Sequence, residues 1–269
     1  MSNKDLPLMR KATAVWLVDK TYLTFKQIAN FCGMHELEVQ GIADGDVSYS
    51  IVGQNPITNG QLTKEEIKNL WDKNKINASE NGTNMHLNIE KFYNGATIVD
   101  ESIEWLYFMK FYHDYKNKLE PYRTEWIIYD KEIKIAGSID MIFKSKPEKT
   151  INDKEVIDIY DWKRCKDIKK VNNFDKWAIN PIISHIPDTN FWHYAFQLNG
   201  YKWILEHNYN KIIRNMFLVC LHPDNNNKSY KLIKIPDLQE ELNILFEERK
   251  MNIIKLSKKI ILYLTEIYL

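Results

Sequence analysis

Two acidic strand segments organise this sequence: Gly137-Ser138-Ile139-Asp140 and, after a break, Asp161-Trp162-Lys163. Side chains in a strand repeat with period two, so Lys163 is expected on the same strand face as Asp161. Two carboxylates on neighbouring strands can hold a divalent cation, and a lysine beside them adds positive charge. The combination predicts metal-assisted hydrolysis of a phosphodiester bond.

The composition predicts a globular protein without a membrane partner. The 269 residues are 44% hydrophobic and 27% charged, which is enough for a sizeable core in one large domain or two small ones. No apolar run reaches the roughly 18 residues of a membrane helix, and residues 1–5 lack the apolar stretch of a signal peptide, so an intracellular location is expected. The scattered cysteines Cys32, Cys165 and Cys220 argue against a disulfide framework or a zinc site.

The N-terminal part reads as a small all-α module. Apolar spacing predicts a helix over residues 11–20, and the Thr24-Phe25-Lys26-Gln27 capping box starts a second one. Gly33 follows where a helix-turn-helix needs a glycine turn, and a third helix is expected over residues 34–43. The alternative interpretation is a helical hairpin with no role in nucleic-acid binding.

This module resembles the alphaproteobacterial cell-cycle transcriptional regulator family over residues 5–75. The resemblance rests on segments within residues 11–45 and 55–63. It implies a regulator-like helix-turn-helix that binds DNA or a protein partner. However, Glu36 and Glu38 stand in the second helix of the pair, where their charge would repel phosphate.

The chain changes character near residues 74–80, which predicts a boundary between two domains, residues 1–75 and 76–269. A capping box at Thr63 opens a helix that is expected to end at about Asp72. Beyond the boundary the patterns predict a mixed sheet flanked by helices, an α+β or α/β fold class. The predicted helices cover residues 86–93, 101–116, 190–206 and 238 onward, and the predicted strands cover residues 124–129, 133–143, 156–163, 216–221 and 230–235.

Element order and motifs of this second part resemble the PD-(D/E)XK nuclease superfamily, in particular its RecB-like and λ-exonuclease-like members, including versions in large DNA viruses. The resemblance covers residues 76–250 and implies a restriction-endonuclease-like core. It also implies a metal-dependent enzyme that cuts DNA to 5′-phosphate ends, as an exonuclease or endonuclease in DNA repair or recombination. The matching motifs are Gly82-Thr83 with His86 and Glu90, Gly137 with Asp140, Asp161-x-Lys163, and Gln197-x-x-x-Tyr201.

The expected chemistry assigns a role to each motif. Asp140 and Asp161 would anchor Mg²⁺ or Mn²⁺, with the carbonyl of Trp162 as a third oxygen ligand. Lys163 would orient or help to deprotonate the attacking water and stabilise the transition state. The RecB-like resemblance makes His86 a further metal ligand.

Two acidic residues complete the predicted site. Glu125 precedes Asp140 by one strand and would bind a second metal or hold Lys163 in place. Glu90 lies four residues after His86, on the same helix face. The alternative for this whole set is structural: a turn carboxylate, an exposed cross-strand charge pattern and a surface pair at i and i+4.

Nucleic-acid contacts are expected from the helix over residues 190–206. His193, Gln197 and Tyr201 recur at four-residue steps, so they would form a polar stripe that faces the cleft and binds phosphate. Arg164, in a basic cluster after the second strand motif, would grip the backbone. Tyr201 as a core residue and a basic loop that is merely solvated are the alternatives.

The remaining expectations concern partners. Three scattered cysteines cannot supply the four-cysteine iron–sulfur cluster of some RecB-like relatives, so no such cluster is expected. Because helicase motifs and a P-loop are absent from the sequence, any helicase or recombination partner would be a separate protein. The location would be cytoplasmic, in the host cell for a viral version, and the oligomeric state is left open. The competing function is a non-catalytic DNA-binding transcriptional regulator with a degenerate nuclease fold.

Overall fold

The structure is a computed structural model, and it describes residues 6–47, 50–144, 150–171 and 176–268, apart from the side chains of residue 74 and residues 257–268. The charged N-terminus, residues 1–5, lies outside the described residues. The chain divides into two compact units, Met1–Asn81 and Gly82–Leu269, called here the helical unit and the sheet unit. In the described part of the chain, no helix combines the length and the hydropathy needed to cross a membrane.

The helical unit is built from short, capped helices. The Thr24 capping box is confirmed, because its hydroxyl accepts the Gln27 N–H at 3.3 Å and the Gln27 side chain accepts the Thr24 N–H at 3.1 Å. Gly33 ends that helix at φ +61°, a conformation that glycine adopts without strain. The helices are α1 (Arg10–Lys20), α2 (Phe25–Cys32), α3 (Glu36–Ala43) and the first part of α4 (Lys64–Tyr93).

Helix α3 begins two residues later than the sequence predicts. His35 is its N-cap: Nδ1 accepts the Leu37 N–H at 3.2 Å, and the Glu38 carboxylate accepts the His35 N–H at 3.0 Å. One of the two carboxylates that would face phosphate therefore has a structural role at the start of the helix. Val39, fully buried, holds α3 against the core of this unit.

Helix α4 corrects the prediction of a helix ending near Asp72, and it runs through residues 74–80, where the sequence predicts the domain boundary. It begins after a capping box in which Thr63 and Glu66 bond each other's main chain, as predicted, but it continues without interruption to Tyr93. No proline stands between Lys64 and Tyr93 to stop it. Gly82 costs only about 1 kcal/mol within a helix, which neighbouring helix formers offset.

The sheet unit consists of a mixed sheet with helices on both faces, so the mixed α and β class is confirmed. The sheet order is β1-β2-β4-β5-β6, with β3 paired to β4. The pairs β1/β2, β2/β4 and β5/β6 are antiparallel, whereas β4 and β5 are parallel and are connected through α6. The elements are α5 (Ile103–Tyr115), β1 (Glu120–Asp130), β2 (Ile135–Lys144), β3 (Thr150–Ile151), β4 (Lys154–Lys163), α6 (Asn190–Asn208), β5 (Lys211–Cys220), β6 (Lys231–Lys234) and α7 (Gln239–Tyr268), with a 3₁₀ turn at Pro181–Ile183.

Strand β4 shows which way the candidate site faces. Ile157 and Ile159 pack in the core that contains the α6 side chains, whereas Tyr160 and Trp162 pack on the opposite face in an aromatic core with α5 and the end of α4. Because side chains alternate along a strand, Asp161 is directed to the α6 side. Asp161 therefore lies at the edge of the core that contains the α6 side chains, next to the candidate site.

Candidate metal centre

Three side chains from three different elements converge in the sheet unit. His86 from α4, Glu125 from β1 and Asp140 from β2 each place one ligand atom within 4.8 Å of the others. All three are partly buried. An imidazole nitrogen and two carboxylate oxygens at this separation form a donor set that can share one divalent cation.

Asp140 is the centre of this group. Its Oδ2 accepts the main-chain N–H of Trp162 at 2.8 Å and lies 3.4 Å from His86 Nδ1. Burial raises the pKa of Asp140 to about 6, although the nearby Lys163 ammonium and the Trp162 N–H act in the opposite direction. The carboxylate is therefore fixed by the neighbouring strand and costly to keep charged without a cation.

Glu125 occupies the place in this group that the sequence assigned to Asp161. Thr124 pairs with Met141 and Trp126 with Ile139, which sets Glu125 opposite Asp140 on the two strands. Its backbone has φ +43°, a strained conformation for a residue with a side chain, and its Oε2 accepts the Ser138 hydroxyl at 2.9 Å.

Asp161 lies beside the group and is held by Lys163. It is only 2% exposed, and the Lys163 ammonium stands 2.7 Å from its Oδ2. Within the described part of the chain, this oxygen receives no hydrogen bond of good geometry, so the contact is an ion pair and not a well-directed bond. Burial, together with repulsion from Asp140, raises the pKa of Asp161 to about 7.

Lys163 is positively charged in this environment. Burial acts to lower the pKa of Lys163, but the Asp161 and Asp140 carboxylates outweigh it and raise the pKa above its usual range. The ammonium also lies 4.9 Å from the ring centroid of Tyr194, close enough for a cation–π contact. Sequence reasoning missed Tyr194, although its spacing of three and seven residues from Gln197 and Tyr201 places it on their helix face.

The main chain of Trp162 contacts two residues of the candidate metal centre, Asp140 and His86. Its N–H bonds Asp140, and its backbone also hydrogen-bonds the His86 ring. Burial nevertheless lowers the pKa of His86 below its usual value, so the imidazole is neutral near pH 7 and can donate a nitrogen lone pair. The Trp162 carbonyl as a third oxygen ligand of the ion stays a prediction, since the main-chain contact with Asp140 is made by the N–H.

The predicted stripe on α6 is only partly assembled at the site. Gln197 Nε2 donates to the Tyr201 hydroxyl at 2.8 Å. The Tyr201 ring lies over Gly137 so closely that a Cβ there would stand 2.4 Å from Cε1, which is why the motif needs glycine. His193 lies apart from these residues. It is largely exposed, and its Nε2 lies 2.7 Å from Asp188 Oδ1. It precedes Tyr194 by one residue and therefore points in a different direction from the helix axis.

Arg164 and Glu90 also lie apart from the converging group. Arg164 Nε donates to Glu104 Oε1 on α5 at 2.6 Å, and both side chains of this ion pair are largely buried. The structure thus gives Arg164 a structural partner in place of a free position for phosphate. Glu90, half-buried on α4, does not belong to the group formed by His86, Glu125 and Asp140.

Comparison with protein families finds one match in this chain. The model of the transcriptional cell cycle regulator TrcR matches residues 37–93. The match begins in α3 and ends with α4, so it starts later and extends further than the predicted resemblance over residues 5–75, and it covers well under half of the 269 residues. A comparison with curated proteins found no match. The chain is therefore similar to the TrcR family in this segment, which includes His86 but none of the strand residues of the site.

Proposed function

We propose that the sheet unit is a metal-dependent nuclease that hydrolyses phosphodiester bonds of DNA. The observation that carries this proposal is the convergence of His86, Glu125 and Asp140 beside the buried pair of Asp161 and Lys163. These residues come from α4, β1, β2 and β4, and they are far apart in sequence. A turn carboxylate or a surface charge pattern would leave such residues dispersed and solvated.

The topology supports the same proposal. A helix, three antiparallel strands, a crossover helix and a parallel strand follow one another in α5, β1, β2, β4, α6 and β5. This is the order expected of a PD-(D/E)XK core. The candidate site stands at the end of β4, where the polar residues of two central strands meet α6.

Mg²⁺ or Mn²⁺ fits the residues that converge. Carboxylate oxygens suit these hard cations, and a neutral imidazole is a further donor. His86, Glu125 and Asp140 would hold the ion, with Asp161 completing the site from the neighbouring strand. The ion would supply positive charge to the phosphate and an acidic water.

The remaining side chains act on the phosphate and on the attacking water. Lys163, held charged by Asp161, would stabilise the negative charge that develops on the phosphoryl oxygens. Tyr201 and Gln197 form a hydrogen-bonded pair on the same side and would orient a phosphate oxygen. A nuclease of this kind carries no motor, so a separate helicase or recombination protein would present its DNA substrate during repair or recombination.

The test compares cleavage by matched carboxylate variants. Purified full-length protein is incubated with linear and with circular DNA in Mg²⁺, in Mn²⁺ and in EDTA. We expect metal-dependent cleavage that leaves 5′-phosphate ends, and a loss of at least about 10³-fold in Asp140→Asn and Asp161→Asn because each removes charge at the reacting phosphate. Circular DNA distinguishes an endonuclease, which cuts it, from an exonuclease, which does not.

Glu155→Gln is the control for these variants. Glu155 is also a carboxylate on β4, but it pairs with Lys211 and lies outside the converging group. It should cleave at the wild-type rate. Activity that survives both Asp140→Asn and Asp161→Asn would exclude this site.

A non-catalytic DNA-binding regulator is the second candidate, because the model of the transcriptional cell cycle regulator TrcR matches residues 37–93. On this interpretation the helical unit and α4 would bind DNA, and the sheet unit would keep a degenerate nuclease fold. DNA binding without cleavage in either metal, together with wild-type binding by Asp161→Asn, would favour the regulator.

A further inference from the structure

A second concentration of positive charge lies in the sheet unit, in a cleft between α6, β5 and β6. The cleft encloses about 600 Å³, and four basic side chains line it: Lys170, Lys202, Arg214 and Lys234. Among the lining residues that the structure describes, Asp237 alone carries a carboxylate, and it pairs with Lys202. Among the described lining residues, basic side chains therefore outnumber carboxylates by four to one, in a chain whose formal net charge is only +1.

The floor of this basic cleft is aromatic. Trp192 is half-buried, and its indole N–H donates to the Lys170 carbonyl at 3.0 Å, which fixes the plane of the ring. Phe191 beside it is buried, with the Lys170 ammonium 4.8 Å from its ring centroid. Cations above a flat aromatic surface are what a single nucleic-acid strand requires, because phosphates pair with the cations and bases stack on the ring.

A braced loop connects the cleft with the candidate metal centre. After β4 ends at Lys163, the chain passes the first turn of α6, where Asn190 Nδ2 donates to the Asp167 carbonyl at 2.7 Å. The carboxamide oxygen of Asn190 accepts the Lys169 N–H at 3.0 Å. These hydrogen bonds therefore fix the main chain that leads to Lys170.

Two lysine ammonium groups lie along the first turns of α6, one at the candidate metal centre and one at the basic cleft. Lys163 lies against Tyr194, and Lys170 lies against Phe191, three residues earlier on the helix. Residues three apart are neighbours on a helix surface. The two ammonium groups therefore stand along the first turns of α6, one at the metal centre and one at the cleft.

We propose that the basic cleft binds the phosphate backbone of the DNA strand whose scissile bond lies at the metal centre. This inference rests on the proposed nuclease function and adds the place where the substrate is held. Free phosphate and nucleoside monophosphates share the chemistry of a strand, so the experiment must separate them from it.

The test measures binding of a labelled single-stranded oligonucleotide to full-length protein in EDTA, over a series of salt concentrations. In Arg214→Ala/Lys234→Ala, affinity should fall by about tenfold near 0.1 M salt. The slope of log K against log salt should become shallower by about 1.4, since each phosphate contact contributes about 0.7 for a single strand. Both side chains are exposed, so the fold should survive, and the thermal unfolding curve verifies it.

The matched control is Lys110→Ala/Lys116→Ala, which removes two exposed lysines of α5 and its C-cap on the other face of the sheet. It should bind the strand as the wild type does. Equal loss in both double variants, or no loss in Arg214→Ala/Lys234→Ala, would overturn the proposal. The proposal would also be overturned if the cleft residues affected the binding of inorganic phosphate or thymidine monophosphate but not the binding of the strand.

Failure of the cleft and failure of the proposed function are distinguishable. Metal-dependent hydrolysis of thymidine 5′-p-nitrophenyl phosphate by the wild-type protein reports the chemistry with a substrate too small to reach the cleft. If that ester is not hydrolysed but the double variant weakens strand binding, the cleft stands and the nuclease proposal falls. If the ester is hydrolysed and strand binding is unchanged, the cleft proposal alone is overturned.

Discussion

The helical unit and the sheet unit are recognised by different kinds of evidence. Most of the TrcR match lies in the helical unit. There, α2 and α3 begin at capping boxes whose two bonded residues are only three positions apart. The group of metal-capable side chains found among the described residues lies in the sheet unit, where residues 125 and 140 meet through strand pairing and residue 86 joins them from α4. Local signals thus identify a family segment, whereas a candidate site arises from contacts that are distant in sequence.

After the two aspartate variants described above, the largest expected effect again tests the nuclease interpretation of the sheet unit against the regulator interpretation. Lys163→Ala should lower the DNA cleavage rate by at least about 10²-fold, because it removes the ammonium that lies beside Asp161 at the candidate site. Lys211→Ala is the control, since Lys211 is a lysine on the next strand whose ion pair with Glu155 is outside the site. Equal rates in the two variants would remove the sheet unit from the chemistry.

Metal binding should stabilise the wild-type protein but not a variant of the donor group. Mn²⁺ at about 100 times its dissociation constant should raise the free energy of unfolding by about 2.7 kcal/mol, because the ion binds the folded state. His86→Ala and Asp140→Asn should lose this shift, as measured by thermal unfolding with and without EDTA.

Val39→Ala in the helical unit is the matched control for metal binding. Val39 is fully buried in the core of that unit, so the variant should be less stable and yet keep the full metal-dependent shift. If the shift persisted in Asp140→Asn, the ion would bind elsewhere.

Two glycines provide a smaller contrast. A methyl group at Gly137 would stand 2.4 Å from the Tyr201 ring, whereas at Gly82, within α4, nothing lies within 4 Å. Gly137→Ala should therefore cost about 1–3 kcal/mol of stability. Gly82→Ala should gain about 0.8–1.0 kcal/mol from its higher helix propensity. Chemical denaturation measures both, and equal effects would contradict the close approach of Tyr201.

The smallest expected effect concerns the charge of α3. Glu36 is exposed in the first turn of this helix, where a carboxylate contributes about 0.3–1 kcal/mol with the helix dipole. Glu36→Gln should therefore destabilise the protein slightly and change DNA affinity by less than about twofold, since the proposed contacts lie in the sheet unit. A clear rise in affinity would instead indicate that α3 lies against DNA.

Sequence reasoning succeeded where one residue acts on a near neighbour. The capping boxes at Thr24 and Thr63 and the glycine turn at Gly33 are confirmed, because their hydrogen bonds join residues within a few positions. The placement of Asp161 and Lys163 on one strand face follows from the period of a strand, and the structure has it.

Sequence reasoning was less specific where the outcome depends on distant partners. The continuity of α4 through residues 74–80 was not visible, because glycine and asparagine lower helix propensity without preventing a helix. Glu125 was predicted at the site, with the choice between a second metal and Lys163 left open, and its position beside His86 and Asp140 depends on strand register and a left-handed backbone, which a sequence does not display. Tyr194, and not His193, contacts Lys163. Adjacent residues of a helix differ in direction by about 100°, and packing of α6 on the sheet decides which of them faces the site.

Trp162 joins two layers that are usually discussed separately. Its indole is 1% exposed and packs edge-on against Phe108 and Phe111, with ring centroids 5.6 and 5.4 Å away, while its main-chain N–H holds Asp140. Any repacking of those phenylalanines therefore moves the polypeptide that sets the spacing of the donor atoms. If the proposed nuclease function holds, heat-stabilising substitutions in that interior would also change the cleavage rate, although neither phenylalanine belongs to the donor group.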